Sequence, residues 1–252
     1  MKEAMTPVQS IDRAMNIIKV LASKSNENWL SITELSKECE LPVSTIHRLL
    51  KSLEEHDLIQ QDSRTKEYGL GSIWLEYGLQ MYDSIDITSQ IKVEMEELMR
   101  QVNESIYFNK PMGMESLIIE RIDSPDNPIR FFDKIGSRIP MNIGAANKTM
   151  LAHMPYRETE NIVNTLIPEN ARPEFWATLH QVKTNGYAIS RGERTEGTVA
   201  VAAPVLNRSG EVEGAVSIGC VSFNLKDERL EFLIEKVINT GKRISKNLGY
   251  NG

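Results

Sequence analysis

Apolar residues recur at helical spacing in three segments near the start of the chain, and this pattern predicts three helices. Ser10 is placed to cap the first helix, and Thr33 to cap the second, which spans Glu34–Cys39. A tight turn ending at Pro42 leads to the third helix, which runs from about residue 43 to residue 55. The apolar positions of the third helix form one stripe, made of Ile46, Leu49, Leu50 and Leu53.

A polar turn with two cations separates two strand-like runs directly after the third helix. The runs are Leu58–Gln61 and Glu67–Leu70, and the turn between them carries Arg64 and Lys66. Two helices joined by a tight turn and followed by a charged hairpin are typical of a winged helix-turn-helix. Residues 1–72 are therefore predicted to form such a domain.

The periodicity changes in the rest of the chain. Residues 73–81 predict a linker helix that a polar stretch at 83–86 interrupts, so we place the linker at 73–86 and a second domain at 87–252. Strand-like runs then alternate with helices, and this order predicts an α+β domain with a mostly antiparallel sheet. The predicted strands are Ser105–Asn109, Ser116–Ile122, Ile129–Phe132, Tyr187–Ser190, Thr198–Leu206 and Glu213–Val221. The first predicted helix of this domain begins after residue 87, and the second lies within Pro140–His153, after a glycine- and alanine-rich turn. Three further helices are predicted at Tyr156–Leu166, Glu174–Thr184 and Asp227–Leu248.

Net charge alone does not favour a nucleic-acid partner, because the chain carries −6. Residues 1–82 hold 9 Lys and Arg against 12 Asp and Glu, which leaves −3, and residues 83–252 hold 20 against 23, again −3. The third helix departs from this average, since no acidic residue lies between Pro42 and Leu53. A DNA-binding surface must therefore be a local collection of positive charge.

The outward face of the third helix carries polar and cationic side chains of the types that contact DNA bases and phosphates. Such a helix enters the major groove, where its early polar residues meet base edges and an arginine can bind guanine or a phosphate. Cations on the hairpin reach the backbone or the minor groove. The predicted contacts with double-stranded operator DNA are Ser44, Thr45, His47, Arg48, Lys51, Arg64 and Lys66.

Composition and motifs argue against several other classes. No run approaches the ~20 apolar residues of a membrane span, and the first ten residues lack the apolar core of a secretion signal, so we expect a cytoplasmic protein with no membrane partner. Cys39 and Cys220 have no metal or redox spacing, and neither a metal nor a cofactor is expected. Two histidines, His153 and His180, are the nearest candidates for catalysis, but the chain has no nucleophile elbow, zinc motif, phosphate loop or dinucleotide fingerprint. The remaining alternatives are a winged-helix module that binds protein and a small-molecule sensor that does not bind DNA.

Four segments resemble the IclR family of transcription regulators. VQSIDRAMNIIKVLA and ITELSKECELPVSTIHRLLKSLEEHDLI are similar to its N-terminal domain. GSRIPMNIGAANKTMLAHMP and NGYAISRGERTEGTVAVAAPVLNRSGEVEGAVSIG are similar to its effector domain, and the similarity covers nearly the whole chain. The resemblance implies a GAF-like effector domain, a homodimer or homotetramer, and operator binding that a small organic, anionic effector modulates. We expect a repressor, with activation as the alternative, because the same DNA-binding element serves both.

The resemblance also implies where the effector binds. Ala145 and Ala146 match positions where N–H groups at a helix start bind a carboxylate, and an unsatisfied helix N-terminus favours an anion for the same physical reason. A tight packing corner between strand and helix is the alternative role for these alanines. The other matched effector-binding positions are Phe131, Ile139, Ser190, Ala200, Ser217 and Gly219.

The chain departs from the family pattern at four places. Glu40 stands where glycine is frequent, although a residue with a side chain tolerates a left-handed backbone poorly, and Val43 stands where a cation is frequent. Asn147 replaces a glycine and is expected to be able to adopt a positive φ. Ser190 and Arg191 replace an acidic pair, which removes acceptors and adds a cation.

Overall fold

The computed structural model describes residues 8–24, 29–84, 88–127, 133–223 and 225–251. The chain divides into two compact units, an N-terminal unit (Met1–Ile85) and a C-terminal unit (Asp86–Gly252). In the described residues, no helix has the length and apolar character needed to cross a membrane.

The N-terminal unit is a winged helix-turn-helix, as the sequence predicts. A short hairpin follows the helix pair, and its strands are antiparallel, with Gln60 opposite Gly69. Trp74 ties the following helix to the hairpin, because its Nε1 donates to Leu58 O at 2.8 Å. The elements are α1 (Gln9–Lys24), α2 (Ile32–Glu38), α3 (Val43–Glu55), β1 (Ile59–Gln61), β2 (Tyr68–Leu70) and α4 (Ile73–Ser84).

Both predicted helix caps are wrong. Ser10 lies inside α1, and Thr33 is the second residue of α2. The N-cap of α2 is Ser31, whose Oγ accepts from the Glu34 N–H at 3.3 Å while Glu34 Oε2 accepts from the Ser31 N–H at 2.8 Å. This reciprocal capping box satisfies two orphan N–H groups, which is why the helix begins before the expected position.

The apolar stripe of α3 packs into the core of the N-terminal unit. Ile46 and Leu50 are 0% and 1% exposed, and they pack with Ile17 and Leu35. Burying each such side chain contributes about 1.5–3 kcal/mol. Because this face is fixed inward, the opposite face of α3 must point outward.

Glu40, at the turn between α2 and α3, adopts a left-handed backbone, with φ 54°. An L-residue with a Cβ pays about 1 kcal/mol in this region, and glycine does not. Glu40→Gly is therefore expected to raise the free energy of unfolding of the N-terminal unit by up to about 1 kcal/mol, measured by chemical denaturation. Glu40→Ala keeps the Cβ and is the control. An equal gain from alanine would show that the glutamate side chain, rather than backbone strain, is responsible.

The C-terminal unit is built on one antiparallel sheet, as predicted. In the described residues the sheet has six strands in the order β5-β4-β3-β8-β7-β6. Its elements are α5 (Thr88–Val102), β3 (Ser105–Met112), β4 (Glu115–Ile122), β5 (Arg138–Pro140), α6 (Ala145–His153), α7 (Tyr156–Leu166), α8 (Arg172–Asn185), β6 (Ala188–Arg191), β7 (Thr198–Leu206), β8 (Val212–Val221) and α9 (Asp227–Asn247), with a 3₁₀ turn at Glu169–Ala171.

One short strand of the sheet was not predicted. This is strand β5, whose three residues are too few for an alternating pattern to be recognised. The predicted strand at 129–132 lies outside the described residues.

The two faces of the sheet carry different cores. On one face large side chains such as Phe108 and Val201 pack against α5 and α9. The backbone of α9 comes so close to β7 that a Cβ on Gly241 would lie 2.8 Å from Pro204 O. On the other face α6, α7 and α8 pack over small residues, including Ala188, Ala202 and Ala215. Small side chains on this second face leave space beside α6.

Candidate functional site

The outward face of α3 is polar and positively charged. Ser44, His47, Arg48 and Lys51 are exposed, and Thr45 is half-buried. Neither Arg48 nor Lys51 forms an ion pair with another described residue. Both charges are therefore available to a partner. A helix with this face fits the major groove of B-DNA, which is about 12 Å wide.

The hairpin turn between β1 and β2 is held by Asp62. Asp62 Oδ1 accepts from the N–H of Arg64 at 2.7 Å and of Thr65 at 2.9 Å, and these two bonds hold the pKa of the carboxyl below its usual range. The side chains of Arg64 and Lys66 are exposed on the same turn. The structure thus places the predicted wing cations at the tip of a short, backbone-anchored hairpin.

A cavity of about 90 Å³ lies between the start of α6 and the sheet. Strand register explains how distant residues meet there: Ser190 pairs with Ala200, Ala200 pairs with Gly219, and Ser217 pairs with Tyr107. Phe131, the eighth effector-binding residue expected from the sequence, lies outside the described residues. The other seven all line this cavity, namely Ile139, Ala145, Ala146, Ser190, Ala200, Ser217 and Gly219.

The start of α6 forms one end of the cavity. Gly144, its N-cap, has φ 91° and ψ 158°, a conformation open in practice only to glycine. In the described residues, no hydrogen bond engages the N–H of Ala145 or Ala146, which are orphan donors of the first helical turn. These donors and the helix dipole favour a negative charge at this end.

A carboxylate of the chain itself already sits beside this helix start. Glu193 Oε2 accepts from the Gly144 N–H at 2.9 Å, and Glu193 Oε1 pairs with Lys148 Nζ. Glu193 comes from the loop between β6 and β7, which therefore folds over the start of α6. The contact shows that a carboxylate is compatible with the geometry and charge of this corner.

The same loop carries the cation of the cavity. Arg194 lines the cavity and pairs through its Nε with Asp133 Oδ1 at 2.6 Å, and Asp133 is also a lining residue. The sequence had pointed to Arg191 as the added cation, but Arg191 is exposed and is not among the lining residues. The two arginines stand three residues apart, and only the loop path decides which one reaches the cavity.

Two buried polar atoms of cavity-lining residues, the Tyr107 hydroxyl and Asn147 Oδ1, have no hydrogen-bond partner among the described residues. Tyr107 was not identified from the sequence. Burial raises the pKa of Tyr107 to about 12, against a smaller lowering by Arg121. The nearby Ser105 hydroxyl also lowers that pKa, and it donates to Asp123 Oδ1 at 2.8 Å.

Asn147 holds the corner between strand and helix. It lies within α6 and is not among the residues with positive φ, so its expected ability to adopt a positive φ is not used here. Its side chain is 1% exposed, and Nδ2 donates to Pro140 O at 2.8 Å and to Ile143 O at 2.9 Å. The side chain therefore ties the approach to α6 to the helix itself.

The two candidate histidines lie on different helices, α6 and α8. His153 ends α6 with its Nδ1 2.8 Å from Thr149 O, and burial lowers its pKa, while His180 is exposed on α8. In the described residues, no cluster of His, Cys, Asp or Glu has a metal-binding arrangement. Cys39 and Cys220 are buried free thiols, and burial raises the pKa of both.

Comparison with known proteins finds the same two-part organisation elsewhere. A family model for the IclR helix-turn-helix domain matches residues 10–63, and one for the bacterial transcriptional regulator IclR C-terminal domain matches residues 79–246. The chain is 30% identical to the HTH-type transcriptional regulator XynR of Escherichia coli, over 98% of this chain and 99% of that protein. It is 26% identical to the HTH-type transcriptional repressor AllR of the same species, over 98% and 92%. The IclR transcriptional regulator of Alicyclobacillus acidocaldarius has a similar structure, with a TM-score of 0.78 at 21% identity, covering 96% of this chain and 99% of that one.

Proposed function

Since this chain belongs to the IclR family of DNA-binding transcription regulators, we propose that it is a repressor whose operator binding is modulated by a small carboxylate in the α6 cavity. Its function is regulation rather than catalysis. In this proposal residues 1–72 read DNA, residues 73–86 link the domains, and residues 87–252 bind the effector and hold the oligomer together.

The single observation that carries the effector role is the cavity itself. The cavity is lined by the first turn of α6, with its free N–H groups, by an arginine and by small residues of the strands, and this lining suits a compact anion. Its volume of about 90 Å³ suits a small acid.

The proposal that this regulator is a repressor is supported by one of its relatives. AllR, which aligns along nearly the whole chain, is a transcriptional repressor. Repression requires only that the ligand-free protein hold its operator firmly enough to block transcription. Ligand binding would then weaken operator affinity through a change in the C-terminal unit.

A homodimer or homotetramer is part of the same proposal, because one small basic face can neutralise few phosphates. Helix α4 presents large apolar side chains to solvent, with Leu75 67%, Leu79 59% and Met81 69% exposed. Apolar side chains grouped in this way suit a surface that another copy of the chain covers. Two α3 helices spaced by a whole turn of DNA would then bind a palindromic site.

The test of DNA binding is a fluorescence-anisotropy titration of the full chain against the DNA upstream of its own gene. We expect specific binding whose logarithmic affinity falls linearly with the logarithm of salt concentration, at a slope of about −0.9 per neutralised phosphate. A scrambled duplex of the same length is the control. Equal affinity for both duplexes at every salt concentration would contradict operator recognition.

A further inference from the structure

We propose that the C-terminal unit holds a binding site for a phosphate ester, separate from the α6 cavity, in an open cleft between α9 and the end of α8. The cleft has a volume of about 580 Å³, and small-molecule sites typically have volumes of about 300–1,000 Å³. It shares no lining residue with the α6 cavity, so this proposal does not depend on the effector site proposed above.

The cleft exists because strand β6 is shorter than its neighbour β7. The pairing of the two strands reaches only to Ala188 opposite Ala202, whereas β7 continues to Leu206. An added strand would find few donors beside this end of β7, since Pro204 has no N–H and the Leu206 N–H already donates to Ser245 Oγ at 2.9 Å. The space therefore suits a small molecule better than another strand.

The cleft is positively charged although the chain is acidic. Among the described residues that line it, none is acidic, whereas Asp and Glu outnumber Lys and Arg by 35 to 29 in the whole chain. Lys242 and Lys246 lie one turn apart on the same face of α9, with Cβ atoms about 5–6 Å apart. Neither lysine forms an ion pair with another described residue. An anion bound between these two cations would relieve their mutual repulsion.

His153 adds a third basic group to the lining of the cleft. Its Nδ1 lies 2.8 Å from Thr149 O, which can only accept a hydrogen bond, so Nδ1 carries a proton and Nε2 is the atom left for a ligand. Burial lowers the pKa of His153, the hydrogen bond with Thr149 raises it, and the nearby cation Lys183 on α8 lowers it. A bound anion would favour the charged imidazole and raise this pKa.

A phosphate ester matches this lining better than a carboxylate does. A phosphate monoester carries a charge of about −1.5 to −2 at pH 7 and three acceptor oxygens, so one group can engage both lysines. A carboxylate brings a single charge. Ala203, Leu206, Ile238 and the ring of Tyr250 also line the cleft, and they offer an apolar surface to the organic part of an ester. We therefore expect an ester to bind more tightly than inorganic phosphate.

Isothermal titration of the full-length protein at constant ionic strength tests this site. The probes are glucose 6-phosphate and glucose, AMP and adenosine, inorganic phosphate, and succinate as a dicarboxylate. The test variant is Lys242→Gln with Lys246→Gln, and the matched control is Lys92→Gln with Lys226→Gln, which changes two exposed lysines outside the cleft. Ala200→Leu, which takes up space in the α6 cavity, separates the two sites.

We expect at least one ester to bind about 10-fold or more tightly than its alcohol in the wild type, in the control and in Ala200→Leu. The same ester should lose about 10-fold in affinity when Lys242 and Lys246 are replaced, since two solvent-exposed charge pairs are lost. In an NMR titration the ester should raise the pKa of His153, whose signal is identified by its absence in His153→Asn. The histidine signals of the N-terminal unit should not shift.

Equal binding of every ester and its alcohol, or no binding of any ester, would overturn the site. Unchanged affinity after replacement of Lys242 and Lys246, an equal loss in the control, or an unshifted His153 with bound ester would also overturn it. Loss of ester binding in Ala200→Leu alone would place the ester in the α6 cavity, which overturns this site and leaves the effector cavity standing. Succinate binding as tight as that of the esters would overturn the choice of phosphate.

Discussion

Replacing Arg48 and Lys51 together by alanine is expected to lower operator affinity by at least about 30-fold, because each good interaction of a cation with a base or phosphate contributes about 1–3 kcal/mol. Both side chains are exposed on the outward face of α3, and their removal leaves the buried stripe of that helix unchanged. The salt slope should become shallower by about one unit for each phosphate that a DNA-binding domain no longer neutralises. Anisotropy measures both quantities, and circular dichroism with thermal melting checks that the fold persists.

The matched control removes two exposed cations from the C-terminal unit, in Lys92→Ala with Arg157→Ala. This variant has the same change in net charge, and it should bind the operator with an affinity close to that of the wild type. Wild-type binding by the Arg48 and Lys51 double variant would contradict the assignment of α3 as the recognition helix. An equal loss of affinity in both double variants would mean that overall charge, rather than this face, drives binding.

Ala200→Leu is expected to abolish binding of small acids to the C-terminal unit while leaving operator binding intact. Ala200 lines the cavity on β7, and the three added carbon atoms would occupy part of its volume of about 90 Å³. We expect the dissociation constant of any acid that binds the wild type to rise more than about 100-fold, measured by isothermal titration. The fold should tolerate the change, since the leucine fills space that is already present.

The control for this variant is Ala177→Leu, the same substitution at an exposed position of α8. It should bind acids as the wild type does. Unchanged acid binding in Ala200→Leu would place the effector elsewhere in the molecule.

Local sequence signals were enough to predict the DNA-binding unit. Helix α3 has the predicted bounds, because a turn, an apolar stripe and an acid-free face all mark the same segment. Glu40 was noticed as a departure from the family's frequent glycine, and the structure shows that it adopts a left-handed backbone. The cap of α2 was missed, because Ser31 and Thr33 are both good cap residues and only the side-chain bond to Glu34 distinguishes them.

The cavity was predicted less completely, because it is formed by long-range pairing. Family motifs pointed to seven residues that line it, but no motif contains Tyr107 or shows that β3 pairs with β8. The choice between Arg191 and Arg194 likewise depends on the loop path and on Asp133, which lies some sixty positions away in the sequence. Asn147 was noticed as a departure from the family pattern. Its hydrogen bonds to three carbonyl groups could not be predicted, because these partners come together only in the folded chain.

We expect occupancy of the α6 cavity and operator binding to be coupled, and reciprocal titrations measure this coupling. Operator affinity is measured with and without a saturating acid that binds the wild type, and the affinity for that acid is measured with and without operator. Linkage requires the two ratios of affinities to be equal, and we expect a ratio of about 5 to 150 that weakens operator binding and disappears in Ala200→Leu. A ratio of one, in a protein that binds both the acid and the operator, would show that the cavity does not regulate DNA binding.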